Sequence, residues 1–597
     1  MFSLDSHPLN DEQKAAIRKN GNVFLVACPG SGKTRTLTFK VAHELTRLQS
    51  DKQFVIAITY THRAADEIHD RIERLGIDTS QLWIGTIHAF CLEWILKPYS
   101  VYHASLRNGF RVIDPHDKEE LLTEICRPYK YPTITHWDCE YYFIKSGYIR
   151  SCKDEKKEAG LREILKTYFQ RLAASRQIDF ELILFYAYQL IASNPTISVL
   201  LSNVFRHILI DEYQDTKEIQ YDILASILRS GKGATGLFMV GDPNQAIFRS
   251  LGGYAITAAE FKAMAEIELK EMPLSRNYRS SERIIKYFGK YNVAPAAVEP
   301  ASTDSGYASC ISYDQTTTRA GIEDEVVRLI KYNTEVEGIH PNEICVLAPQ
   351  WVHLASMTRQ LAQRLPEYQF DGPGMVPFAR DVHNFWYKVS KIALTEPSPS
   401  MYLTRLRWAG EVLAELQDAG VSVSFTRKIL LKECNSVKLH EVDGLKYLRT
   451  FFDSLFLSLG IDFHSVPALR EHYDAFFKSS QARIARLVKD GSDSISDIAT
   501  FRRVFAARTG ITVSTIHGVK GAEYDTVIAY ALLEGMLPHF SDPEGQESAK
   551  KLLYVICSRA RKNLHLISER GRLDGRHIEY QATTQLAKCR FTYDSIP

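Results

Sequence analysis

The hydrophobic pattern changes period several times along the chain. Val23-Phe24-Leu25-Val26 is a short unbroken apolar run, the pattern of a strand buried on both faces of a parallel sheet. A second run, Ile208-Leu209-Ile210, ends in two carboxylates, Asp211 and Glu212. It reads as another buried strand, with the acids at its tip. Elsewhere the period is helical. Residues 161–172 (LREILKTYFQRL) place apolar side chains at i, i+3, i+4 spacing. Leu445, Leu448, Phe452, Leu455 and Leu459 also fall three or four apart, one face of a helix. Pro and Ser at 396–400 (EPSPS) mark a loop.

Length and composition narrow the class. A core rarely grows past about 250–300 residues before it splits, so 597 residues imply about three to five lobes. Hydrophobic residues at 45% and charged residues at 24% exclude a disordered chain. A net charge of +2 excludes a histone-like protein but leaves room for a local basic groove. The ten cysteines include no C-x-x-C pair, so neither a zinc–thiolate site nor a disulfide framework is expected. MFSLDSHPLNDEQ lacks the features of a signal peptide, and no apolar run approaches the ~20 residues that span a bilayer. The expectation is a cytoplasmic protein with no membrane partner.

The strongest local chemistry follows the first apolar run. Ala27-Cys28-Pro29-Gly30-Ser31-Gly32-Lys33-Thr34 is a P-loop whose first position is Ala27 instead of Gly. Gly30 and Gly32 let backbone N–H groups converge on phosphate oxygens, and the next helix offers its positive end to the same anion. Lys33 reaches the β- and γ-phosphates, and the Thr34 hydroxyl ligates Mg²⁺. The apolar strand ending at Asp211-Glu212 supplies the complement. Asp211 would hold Mg²⁺ and Glu212 would polarise the attacking water.

The string DEYQDT (211–216), together with the P-loop, resembles the UvrD/Rep/PcrA-like helicases of superfamily 1, and the resemblance extends in motif order over residues 11–560. Asp11-Glu12-Gln13 looks like the Q-motif. Thr59–Ala65 (TYTHRAA) resembles T-F-T-N-K-A-A, and Gly85–Phe90 (GTIHAF) matches G-T-[FI]-H. Val240–Phe248 (VGDPNQAIF) resembles G-D-x-x-Q-S-I-Y, and Asn277–Ser280 is the N-Y-R-S block. Ser514–Tyr524 (STIHGVKGAEY), Glu534–Pro538 (EGMLP) and Leu553–Ala560 (LYVICSRA) resemble the last three blocks. A P-loop kinase or GTPase would require the NYR and SRA strings to be accidental.

The resemblance implies an α/β fold. Two RecA-like P-loop motor domains, parallel sheets flanked by helices, carry two mostly helical insertions. Residues 1–90 and 178–275 form motor domain 1A, with insertion 1B at 91–177. Residues 276–395 and 505–597 form 2A, with insertion 2B at 396–504. Ile178-Asp179-Phe180-Glu181 resembles the return from 1B. The stretch 129–150 (YKYPTITHWDCEYYFIKSGYIR), rich in aromatics and bases, reads either as an aromatic helical core with a solvated face or as a duplex contact.

By the same resemblance, the activity is ATP-dependent helicase or translocase action, 3′→5′ on single-stranded DNA, fuelled by Mg²⁺ and ATP. Arg279 and Arg559 are the arginine fingers, and Gln245 senses the γ-phosphate. Gln13 reads adenine, Tyr278 stacks on it, Arg35 lies near the base, and Glu523 contacts the ribose. Tyr60, His62, Thr86, His88 and Phe248 face DNA from one lobe, and Thr515 and His517 from the other. Aromatic stacking tolerates any base, so no strong sequence preference is expected.

The sequence departs from the family after Gln245. Ser250 and Leu251 stand where the family has an aromatic and an Arg, with Arg249 and Tyr254 as substitutes from shifted positions. The residues after Lys562 are too few for the nuclease domain of RecB- or AddA-like relatives. In size and layout the chain also looks like the helicase subunit of the Gabija anti-phage system, which pairs with an OLD-family nuclease. The partners expected are thus single-stranded DNA and single-strand/duplex junctions, with a separate nuclease under the second reading.

Overall fold

The structure is a computed structural model that describes residues 4–113, 115–372, 376–378, 381, 384–489, 493–506, 510–540, 542 and 544–596. The chain forms two compact units. One comprises Met1–Thr316, Val519–Val527 and Ala531–Pro597, the other Thr317–Gly518 and Ile528–Tyr530.

The first unit opens with α1 (Asp11–Arg18), β1 (Asn22–Ala27) and α2 (Lys33–Leu45). Next come β2 (Phe54–Thr59), α3 (His62–Arg74) and β3 (Leu82–Thr86). A hairpin of β4 (Tyr141–Ile144) and β5 (Gly147–Arg150) and the helices α4 (Glu158–Ala174) and α5 (Phe180–Ser193) follow. The chain then returns through β6 (Phe205–Asp211), β7 (Gly236–Gly241) and β8 (Leu269–Leu274). The six long strands form one sheet in the order β8-β1-β7-β6-β2-β3, with every neighbouring pair parallel.

Strand periodicity explains why these runs are apolar throughout. Val23, Leu25 and Ala27 pack with Leu37 and Val41 of α2 and Ile68 and Ile72 of α3. Phe24, Ile56, Ile58, Ile208 and Ile210 join the opposite layer, with Leu184 and Ala187 of α5. Successive strand side chains thus enter helical layers on both faces of the sheet. The carboxyl ends of the strands are Ala27, Thr59, Thr86, Asp211, Gly241 and Leu274. The P-loop and the blocks beginning at Thr59, Gly85, Asp211 and Val240 start at or beside such ends, where ligands bind in open parallel sheets.

The 161–172 pattern lies within α4 and buries Leu161, Ile164, Leu165 and Leu172 as expected. The aromatic stretch does not form a helical core. Its second half is the antiparallel β4–β5 hairpin, with Tyr141 and Phe143 buried on one face. Alternating aromatic residues favour the pleated surface, and Lys145-Ser146 turn the chain. Phe143 stacks on Phe185 at 4.1 Å. The hydroxyls of Tyr141 and Tyr168 donate to Asp179 at 2.5 and 3.0 Å. Asp179 in turn caps α5 by accepting from the Leu182 N–H.

The second unit has a parallel strand trio in which Ile511–Thr515 pairs with Ile344–Ala348 and Phe370–Asp371. Its helices gather round Trp386, which lies 4.7 Å from Phe452 and 4.6 Å from Phe463, ring centre to ring centre. Helix Gly444–Ser458 buries Leu448, Phe452 and Leu455 there, and Leu445 and Leu459 pack at its edge. Among the described residues no single helix is long and apolar enough to cross a membrane.

Candidate nucleotide site and motor residues

The loop after β1 needs its glycines. Gly30 and Gly32 have φ of +67° and +78°, a region costly for side-chain-bearing residues. A Cβ on Gly30 would lie 2.6 Å from the Arg279 Cβ, and one on Gly32 would lie 2.8 Å from Gln13 Nε2. Ser31 is buried and donates to the Cys28 carbonyl at 2.8 Å. Lys33 and Thr34 open α2, so cation, hydroxyl and positive helix end share one place.

The predicted base-binding residues converge on this loop. Gln13 Nε2 donates to the Ser31 carbonyl at 3.0 Å, and the Tyr278 N–H donates to the Gly30 carbonyl at 2.9 Å. Asn277 Nδ2 donates to the Pro29 carbonyl at 2.7 Å. Tyr278 is 43% exposed, which leaves it open to stacking. Arg35 lies along α2, its guanidinium 6.0 Å from the centre of the Phe39 ring.

Asp211 and Glu212 are adjacent but electrostatically unlike. Burial, then the charge of Glu212, pushes Asp211 up to about 7 against the pull of Lys33. Burial also acts to raise Glu212, but Lys33, Lys520 and the Gln214 hydrogen bond outweigh it and hold Glu212 low. Environments that separate two carboxylates in this way leave one ionised base beside one group that gains from a cation. The Asp211 carboxylate and Thr34 hydroxyl are hard oxygen donors suited to Mg²⁺, which commonly takes one or two protein ligands, with phosphate oxygens and water completing the shell. Among the described residues no cluster of three or more His, Cys, Asp or Glu could hold a metal unaided.

A hydrogen-bonded chain leads away from Glu212. Gln214 Nε2 donates to Glu212 at 2.6 Å, and Gln214 Oε1 accepts from the Asp242 N–H at 3.0 Å. Gln245 Nε2 donates to Asp242 at 2.7 Å. Arg559 Nη2 donates to Gln245 Oε1 at 2.8 Å. Arg559 is 1% exposed, and burial followed by repulsion from Arg279 lowers its pKa. Arg279 donates from Nε to Glu523 at 2.7 Å and from Nη1 to the Ser558 carbonyl at 2.8 Å. Glu523, expected at the ribose, is here a partner of Arg279 and Arg561.

Among the residues predicted to face DNA, Tyr60 is 43% exposed and packs on Phe248 at 5.0 Å between ring centres. His62 begins α3. The Thr86 hydroxyl accepts from the Ala89 N–H, and His88 meets Phe180 edge-on. In the second unit, Thr515 ends its strand and accepts from the Gly518 N–H at 3.1 Å, with His517 two residues further on. Past Gln245, Ser250 and Leu251 are exposed. Arg249 pairs with Glu544 at 2.7 Å, and the Tyr254 hydroxyl donates to Glu260 at 2.8 Å. The aromatic lying against this loop is Tyr142 of β4, whose ring a Cβ on Gly252 would meet at 2.8 Å.

Several site residues escaped the motif reading. Lys520 donates to Asp215 at 2.7 Å and to the Gln245 carbonyl at 2.6 Å, and its ammonium lies 5.2 Å from the centre of the Phe248 ring. Burial raises Asp215 to about 7 despite that lysine. Lys520 and Asp242 lie inside strings already singled out, but nothing local gives Asp215 as the partner of Lys520 or Gln214 as that of Asp242. Asn10 was accessible as a helix-start signal, three residues before Gln13.

The family model for the UvrD/REP helicase N-terminal domain matches residues 9–264, and that for the UvrD-like helicase C-terminal domain matches 477–571. The ATP-dependent DNA helicase PcrA of Staphylococcus epidermidis is 23% identical over 95% of this chain and 84% of its own length. DNA helicase II of Rickettsia typhi is 24% identical over 95% of this chain and 93% of its own length. The ATP-dependent DNA helicase SRS2 of Saccharomyces cerevisiae is 28% identical over 46% of this chain and 26% of its own length. Both terminal models match in chain order and the PcrA and helicase II relatives each align over 95% of this chain, so this chain belongs to the UvrD-like DNA helicase family.

Proposed function

We propose that the chain is a cytoplasmic ATP-dependent motor that moves 3′→5′ on single-stranded DNA and opens duplex at junctions. The observation that carries the ATP-hydrolysing part of this reading is the hydrogen-bonded chain from Glu212 through Gln214, Asp242 and Gln245 to Arg559. It links the group that would orient water to a buried guanidinium that would meet the γ-phosphate. Lys33 and the backbone of Ala27 and Pro29–Gly32 bind the phosphates. Thr34 and Asp211 would hold Mg²⁺, which supplies charge neutralisation on the phosphate oxygens. Glu212, held ionised by Lys33 and Lys520, accepts the proton of the attacking water. Arg279 and Arg559 stabilise the charge that builds on the transferred group.

On the base side, Gln13 reads the edge, Tyr278 stacks and Arg35 flanks. Glu523 orients Arg279 and would contact the ribose. Tyr60, His62, Thr86, His88 and Phe248 grip one stretch of strand, and Thr515 and His517 another. The division into 1A (1–90, 178–275), 1B (91–177), 2A (276–395, 505–597) and 2B (396–504) is the proposed assignment of these roles. Alternating grip by two lobes would convert hydrolysis into stepping.

A second reading is favoured by Ser250 and Leu251, exposed where the family carries an aromatic and an Arg. Weaker grip there suits a DNA-sensing ATPase subunit that acts with a separate nuclease. The test is ATP hydrolysis with and without single-stranded DNA, for the wild type and Lys33→Ala. Strong stimulation abolished by Lys33→Ala supports the autonomous motor. Hydrolysis indifferent to DNA contradicts it, and hydrolysis that appears only with a co-purified nuclease selects the second reading.

A further inference from the structure

Asn10 stands immediately before α1, and its hydrogen-bonding groups serve two tasks. Its Oδ1 accepts from the Gln13 N–H at 2.7 Å, and its backbone N–H donates to Gln13 Oε1 at 3.1 Å. These two bonds close a capping box at the helix start. The remaining group, Nδ2, donates to the Tyr278 hydroxyl at 2.7 Å, across 268 residues of sequence. Capping does not require that third bond. Ser and Asp cap helices about as well as Asn, and Ser lacks the reach and the amide donor.

The contact completes a frame around the base-binding side. The Tyr278 backbone is tied to Gly30 of the P-loop through its N–H, and the far end of its ring is tied to Asn10. The Gln13 side chain is tied to Ser31 at one end and Asn10 at the other. One residue therefore references both groups, the ring that would stack on a base through its side-chain Nδ2 and the amide that would read the base edge through its backbone N–H. Fixing two recognition groups before the ligand arrives removes ordering cost from binding.

We propose that Asn10 is a positioning residue for the nucleobase. It holds the tilt of Tyr278 and the direction of the Gln13 amide together, so that the purine of a nucleoside triphosphate is stacked and read in one geometry. This rests on the nucleotide assignment made above and extends it to a residue outside the P-loop and the arginine fingers.

The experiment measures KM and kcat for ATP in the wild type, Asn10→Ser, Tyr278→Phe, the double variant and Asn10→Asp. Asn10→Ser keeps the cap and loses the tether. KM should rise about three- to ten-fold, the worth of one hydrogen bond, with the loss falling on KM and not on kcat. The double variant should be no worse than the poorer single variant, because both remove the same bond. Asn10→Asp should recover most of the loss, since Tyr278 can donate its hydroxyl proton to the carboxylate. Inhibition by inorganic triphosphate, which has no base, should not change. An unchanged KM in Asn10→Ser, multiplying effects in the double variant, or a parallel weakening of triphosphate inhibition would each overturn the proposal. Equilibrium ATP binding by calorimetry carries the same comparison if the wild type does not hydrolyse ATP. Failure of the motor reading and failure of this inference are therefore separable.

Discussion

Arg559 is a buried guanidinium held by neutral groups, Gln245 Oε1 at 2.8 Å and the carbonyls of Ala522 and Val555 at 3.3 Å. Such a charge is costly to bury unless it is used, and a γ-phosphate is its natural counter-ion. Lysine carries the charge but lacks the planar fork. Arg559→Lys should therefore lower the single-turnover hydrolysis rate by about 10³-fold or more with little change in nucleotide affinity. A loss under ten-fold would remove Arg559 from the chemistry. At this scale the site was largely legible where its signal is local. The P-loop and the acid pair each lie within about ten residues, and their chemistry demands those residue types. Lys520 with Asp215 was not legible, because 305 residues separate the partners and neither side chain announces the other.

Between elements, small residues mark close approach. Gly252 has φ +91°, and a Cβ there would press on the Tyr142 ring at 2.8 Å. Gly252→Ala should cost about 1–3 kcal/mol in denaturant unfolding, through strain and overpacking. Adding Tyr142→Ala should relieve the steric part, and strictly additive losses would argue against the contact. His207 of β6 lies 3.8 Å from Glu44 of α2. Burial, opposed by Glu44, holds its pKa down to about 3 from an ordinary 6.5. The unfolded chain thus takes up a proton between those values that the folded chain does not. Stability should fall as pH drops through that window, by about 2 kcal/mol between pH 7 and 5 from this group. His207→Asn should flatten that part of the pH dependence, and an unchanged slope would contradict the assignment. The buried strands and amphipathic helices were readable because their periods differ. The β4–β5 hairpin was not, since its short alternation lies inside an aromatic cluster that also suits a helix.

Over the whole molecule, a net charge of +2 gives little long-range attraction to nucleic acid, so affinity must come from local contacts. Single-strand binding should weaken log-linearly with salt, with a slope near −0.7 per phosphate neutralised. Tyr60→Ala should weaken binding by losing a stacking face while leaving that slope unchanged, whereas a changed slope would mark it as acting through phosphates. The order of motif blocks announced the family because the Asp11–Gln13 block precedes the first strand, five blocks start at or beside strand ends of one sheet, and the rest follow in sequence along the later part of the chain. The division into two compact units was not announced, since it depends on contacts between distant segments. The most direct test is strand displacement from duplexes with either a 3′ or a 5′ single-stranded tail, in the presence of ATP. The account predicts displacement from the 3′-tailed duplex alone, lost in Lys33→Ala. Displacement from the 5′-tailed duplex, or none from either while ATP is hydrolysed rapidly, would contradict it.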